Sequence, residues 1–140
     1  MAEKTFYHSS VGVWVAIDEP NSAVLASYPA GTVEIPSAPS VMHTWDGSSW
    51  VAPSVDAVRA RQAEIARARR DDMLRYQVDP VASNALRWAS LSENEQQQIL
   101  VYRQTLLDIT SQSGFPQHIR WPERPASLPE VKIEWNENIL

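Results

Sequence analysis

The feature that most constrains this chain is the change of punctuation at Ser54. Before it, Pro20, Pro29, Pro36, Pro39 and Pro53 cut the sequence into short runs. Each proline denies the backbone a donor, so strands between them must be short and partly edge-like. After it, Val55 to about Tyr76 holds neither Gly nor Pro and is rich in Ala, Arg, Gln and Glu, which favours an unbroken helix. The two regimes predict an α+β chain.

The first regime reads as a small antiparallel β module over residues 1–53. Val11, Val13, Val15 and Ile17 alternate with Gly12, Trp14 and Ala16, giving a strand with one apolar face ahead of a turn at Asp18-Glu19-Pro20-Asn21. Val41 to Trp45 and Trp50-Val51 flank Asp46-Gly47-Ser48-Ser49. Asp-Gly between aromatic-bearing runs signals a hairpin, because Gly47 accepts positive φ without a Cβ clash.

The second regime opens with Ser54 as a helix cap and Asp56 at the positive end of the dipole. Between Val58 and Leu74 only Ile65 and Met73 are bulky, too narrow a stripe to bury the helix in a core. Residues 54–77 are therefore expected to form a connecting helix that bridges two modules. Asp79-Pro80 is expected to end it, since proline disfavours helical backbone in the residue before it. Val81 to Ser90, with Leu86 and Trp88, predicts a short helical turn.

Ser92-Glu93-Asn94-Glu95 matches a capping box, and Gly114 can stop the following helix in the left-handed position, with Phe115 and Pro116 behind it. Between these signals Ile99, Tyr102, Leu106 and Ile109 form one apolar stripe, which Leu100 and Leu107 widen. Leu74, Leu86, Trp88 and Trp121 are candidates to cover it. Short loops favour antiparallel neighbours, so residues 78–125 predict a helical hairpin, with Met73 and Leu74 meeting Ile99, Tyr102 and Leu106. Gln117 to Pro125 reads as an extended Pro-rich arm. Residues 126–140 form a C-terminal extension in which Val131, Ile133 and Trp135 alternate as in a short strand.

The chain of 140 residues has a net charge of −5, yet six of its twelve basic residues lie between Arg59 and Arg75. On a helical wheel these arginines scatter all round, and Arg67 with Asp71, Asp71 with Arg75 and Arg61 with Glu64 stand at ion-pair spacing. A solvated helix laced with ion pairs explains them better than a nucleic-acid face. Met1-Ala-Glu-Lys is not a signal sequence, and no run approaches the roughly 18 apolar residues of a membrane span. The expectation is a soluble chain with no nucleic-acid or membrane partner.

Chemistry is scarce. With no Cys in the chain, disulfides, thiolate metal sites and Cys nucleophiles are excluded. His8, His43 and His118 are too far apart in sequence for a local ligand pair, and four scattered glycines build no phosphate-cradling loop. Asp71 and Asp72 point about 100° apart on a helix, unlike a catalytic dyad. No catalytic residue, cofactor or metal is expected. The six Trp either fill cores or serve as anchors on a binding face.

The runs Arg70-Asp71-Asp72-Met73-Leu74, Val78-Asp79-Pro80, Leu86-Arg87-Trp88, Tyr102 to Ile109, Gly114-Phe115-Pro116 and Ile119 to Pro125 together resemble the tail assembly chaperone, or tail fibre assembly, proteins of tailed bacteriophages. The likeness covers roughly residues 66–125, and the Trp45-Asp46-Gly47 to Trp50 hairpin is similar to the family's β-rich N-terminal part. Met73 departs from the usual Leu, and residues 126–140 extend past the usual ending. The resemblance implies a non-catalytic helper that binds the distal part of a tail fibre or another tail protein and promotes its folding and trimerisation. It would act in the host cytoplasm during assembly, and some relatives stay in the virion tail. The alternative is a permanent virion component, a baseplate or fibre-junction adaptor; a glycan hydrolase is a remote third.

Trp88, Tyr102, Arg103, Arg120, Trp121 and Arg124 are the candidate partner-binding residues. Trp121 lies in a segment stiffened by Pro116, Pro122 and Pro125, with the Trp-plus-Arg composition of interface hot spots. Either it docks a partner or it folds back over the Ile99 to Ile109 stripe.

Overall fold

A computed structural model describes residues 3–131. The chain is α+β, with a small antiparallel sheet ahead of a run of helices, and it divides into two compact units that meet in sequence at Ser54 and Val55.

In the first unit, β1 (Lys4–His8) pairs antiparallel with β2 (Gly12–Ala16) on one side and β3 (Val33–Ile35) on the other. The register sets Phe6 opposite Trp14 and Tyr7 opposite Val13 and Val33. One face carries Phe6, which stacks on Trp14 at 5.9 Å, and both rings meet Tyr28 edge-on at 5.2 Å. Tyr28 follows α1 (Ser22–Ser27), a helix the sequence reading did not foresee. Its first turn is held by Asn21, whose side chain accepts the Val24 N–H at 3.0 Å.

The valine face of β2 points outward, with Val13 41% and Val15 52% exposed. The apolar alternation is real, but Trp14 packs on Phe6 and Tyr28, while on the valine face the buried residues are Thr5 and Ile35 of β1 and β3 and not the valines of β2.

Over β1 and β3 sits the expected hairpin, β4 (Thr44–Trp45) paired with β5 (Trp50–Val51). Trp45 meets Trp50 at 5.3 Å and Tyr7 at 6.3 Å, while the Trp50 indole N–H donates to the Pro36 carbonyl at 2.8 Å. Gly47 has φ +103°, as its turn requires. The strand is shorter than expected, because Val41 to His43 form a turn around Ser40, whose hydroxyl accepts the Met42 N–H.

The second unit opens with α2 (Val55–Met73), which buries small residues, Ala63 and Ala66, before Met73. The narrow stripe is compensated by close approach and by arginines that cover aromatic rings. Arg67 lies over Phe115 at 5.6 Å and Arg69 over Trp121 at 4.5 Å, each of the kind worth about 0.5–2 kcal/mol. Arg61 meets Glu64 at 3.2 Å as its spacing predicts, whereas Asp71 meets Arg70 at 2.9 Å instead of Arg67 or Arg75.

Asp79-Pro80 does not end the helical course. A π-helical turn, Leu74–Val78, follows α2 and leads into α3 (Asp79–Ala82), with Pro80 in the first turn. Asp79 keeps helical backbone, φ −59° and ψ −40°, and its N–H reaches back to the Leu74 carbonyl. A proline ring presses on the carbonyl four residues earlier, and the wider π turn relieves that crowding. The turn also aims Gln77 and Val78 inward.

α4 (Ala85–Ala89) is the predicted short turn, capped by Asn84, and α5 (Glu93–Leu107) begins at the full Ser92–Glu95 capping box. Ile99, Leu106 and Ile109 are 0% exposed and Tyr102 2%. They form the expected stripe. Leu100 does not widen it, being half exposed beside Val101. Met73, Val78, Val81, Ile99, Tyr102, Leu106 and Leu128 make the core, with Leu74, Trp88, Leu91 and Trp121 packed against it. Leu86, expected to help, is 85% exposed.

After α5 a 3₁₀ turn, Asp108–Ser111, ends the helical course before Gly114. Gly114 is not left-handed. It is needed for room: a Cβ there would collide with the His118 carbonyl, whose own N–H donates to Gly114 O at 2.7 Å. The strand expected over Glu130–Trp135 falls mostly outside the described residues; Glu130 and Val131 are not in a strand.

Candidate functional site

The site begins with how the Pro-rich arm is held. The Gln112 side chain acts as a short strand partner: its Nε2 donates to the Arg120 carbonyl at 2.9 Å, and its Oε1 accepts the Arg120 N–H at 2.8 Å. Two matched bonds fix the arm where it leaves the turn. Next along, Trp121 packs on the core with Arg69 over its ring. Arg124 then donates to the carbonyls of Pro125 and Leu128, while the Leu128 N–H returns to Pro125 O at 3.0 Å. This turn drives Leu128 into the core at 2% exposure.

A groove of about 480 Å³ runs between the anchored arm and α5. Gln97, Gln98, Val101, Tyr102 and Thr105 form the helical wall, and Pro122 to Ala126 the other. Val101 presents apolar surface at 55% exposure. The glutamine amides each offer donors and an acceptor, and the prolines offer flat apolar faces. Such walls suit an extended polypeptide, whose main chain needs hydrogen bonds and whose side chains need apolar contacts.

Tyr102 reaches from this groove into the core, where its hydroxyl donates to Gln77 Oε1 at 2.5 Å. Burial pushes its phenol above the ordinary value, against the pull of Arg124 and Arg69.

The six sequence candidates therefore separate. Tyr102 and Arg124 share the groove. Trp121 and Trp88 pack against the core, and the Trp88 carbonyl accepts from Gln96 at 2.8 Å. Arg103 and Arg120 are exposed. Sequence reasoning missed Gln77, Gln112 and Leu128, together with the wall formed by Gln97, Gln98, Val101 and Thr105. The wall was findable, because those residues share a flank of the Ile99–Leu106 stripe at helical spacing. Gln112 carried no such signal.

Among the described residues, no group of three or more His, Cys, Asp or Glu could hold a metal ion, and no helix is long and apolar enough to cross a membrane. What the second unit defines is a helical module with a braced arm and a groove between that arm and α5, lined by both amide and apolar side chains. Residues 63–126 match the family model described as phage tail assembly chaperone protein. No curated protein and no solved structure matches the chain.

Proposed function

We propose that the helical unit holds an extended segment of a phage tail fibre in the groove between α5 and the arm, and thereby promotes the fibre's folding and trimerisation. The groove carries this reading: its arm is braced at Arg120, Trp121 and Arg124, so little conformational freedom is lost when a partner docks. Its surface offers binding groups and no reactive pair, so the protein acts by association, without turnover. The place of action is the host cytoplasm while fibres are being made, with no nucleic acid, membrane or cofactor involved.

Co-production with the fibre tests this. Fibre made with the protein should be soluble and trimeric, and fibre made alone should aggregate or stay monomeric. A soluble trimer obtained without the protein contradicts the reading, as does stoichiometric recovery of the protein from purified particles when its loss leaves fibre assembly intact. That second outcome describes a permanent adaptor.

A further inference from the structure

The groove beside α5 has a fixed cation on its wall. Arg124 lies on the arm side, and its Nη1 donates to the carbonyls of Pro125 and Leu128. Two acceptors on one nitrogen hold the plane of the guanidinium. Among the described residues its Nε and Nη2 have no partner, and neither is one of the atoms buried without one. That edge is the one with which arginine meets a carboxylate through two parallel bonds. Arg69 adds a second charge: burial raises the Tyr102 phenol while Arg124 and Arg69 oppose the rise, so both charges act at the middle of the helical wall. Neither arginine has a carboxylate partner among the described residues. Glu123, on the same wall as Arg124, is exposed and pairs with neither.

Building on the groove as the place where a tail protein is held, we propose that its occupant is an acidic extended segment of that protein, with one Asp or Glu side chain bound by Arg124 and apolar residues on either side of it. Length and placement favour a side chain over a chain end. Gln97 to Thr105 spans about 12 Å of helix, which matches about four residues of extended chain. Arg124 is the middle residue of the Pro122 to Ala126 wall. A chain that ended in a carboxylate there would leave about half of that length empty, whereas a continuous segment fills it. Side chains alternate along such a segment. With the acid turned to the arm, its two neighbours turn to α5, where Val101 is 55% exposed. The exposed amides of Gln97 and Gln98 are left for main-chain groups.

Titration of the full chain with short peptides, followed by NMR at the Arg124 Nε–H and at the backbone of residues 97–126, tests the proposal. The probes are acetyl-Ser-Val-Glu-Val-Ser-amide, the same peptide with Gln or Lys at its centre, and acetyl-Ser-Val-Val with a free carboxylate. The Glu peptide should shift the Arg124 Nε–H and bind about tenfold more tightly than the Gln peptide. The Lys peptide should be weaker still, and the preference should shrink as salt is raised. Glu123→Gln, which removes a like charge from the same wall, should tighten the Glu peptide and leave the Gln peptide unchanged. Arg124→Lys, which loses the two-pronged geometry, should lose most of the preference; should that variant fail to fold, Glu123→Gln decides. Equal binding of the three blocked peptides in the groove overturns the acidic occupant and leaves the groove reading standing, whereas no shift anywhere between residues 97 and 126 overturns both. Tighter binding of the free-acid peptide assigns Arg124 to a chain end, and an Arg124 Nε–H that moves when the peptide-free protein is diluted assigns the groove to a second copy. Either result contradicts the proposal.

Discussion

The Tyr102 hydroxyl donates to Gln77 Oε1 at 2.5 Å, and both residues are buried. The bond joins α5 to the π turn that carries the chain through Pro80. Without it the Gln77 amide oxygen would face the core with no partner. Tyr102→Phe should therefore destabilise the protein by about 1–3 kcal/mol, the usual result of orphaning a buried acceptor. Adding Gln77→Leu should recover part of that loss, measured as a double-mutant cycle in urea. The same burial raises the Tyr102 phenol above 10.0. Its contribution to stability is therefore complete below pH 10 and is lost as pH rises through the folded-state value. Alkaline unfolding should be shallower in Tyr102→Phe.

Leu106 lies at the centre of the helical core and is 0% exposed. Leu106→Ala should cost about 2–5 kcal/mol, as large-to-small changes in packed cores do. A fall in the thermal midpoint checks it, and an unchanged midpoint would remove Leu106 from the core.

Gly114 is held by contact and not by backbone conformation, because a Cβ would meet the His118 carbonyl. Gly114→Ala should destabilise by about 1–3 kcal/mol through overpacking, and Gly114→Asn should fare no better. Rescue by Asn would indicate a left-handed cap, since Asn tolerates that region.

In the first unit Asp46 accepts the N–H groups of Ser49 and Ser48, each at 2.8 Å, and these bonds hold its carboxyl below the ordinary 3.8. A depressed value means the stabilisation is present above pH 3.8 and is lost as pH falls through the folded-state value. A carboxyl titration followed by NMR should place the Asp46 midpoint below 3.8, and Asp46→Asn should flatten the acid limb of the stability profile.

Where one local rule decides, the sequence is readable. The Ser92–Glu95 capping box, the Ile99 to Ile109 stripe and the Asp46-Gly47 turn each depend on residues within one element, and each is found in place. Where elements compete, it is not. The valines of β2 stay exposed because burial on their face of the sheet is confined to Thr5 and Ile35 on β1 and β3, and Pro80 was absorbed by a π turn that no local preference announces. Gly114 served steric room in place of backbone freedom. The candidate site follows the same division. Tyr102 and Arg124 were visible as members of a motif, but the groove between them depends on Gln112 and Leu128, whose roles exist only once the arm has folded back.

The most direct test of the central claim is capture of the tail fibre by the full chain carrying Val101→Glu. Val101 is 55% exposed on the groove wall, so the substitution buries no charge and should leave the melting temperature within a degree or two. In co-production followed by affinity purification, the wild type should retain the fibre, and Val101→Glu should lose at least nine-tenths of it while folding normally. Full retention by a folded Val101→Glu chain would contradict the account and take the binding surface away from the groove.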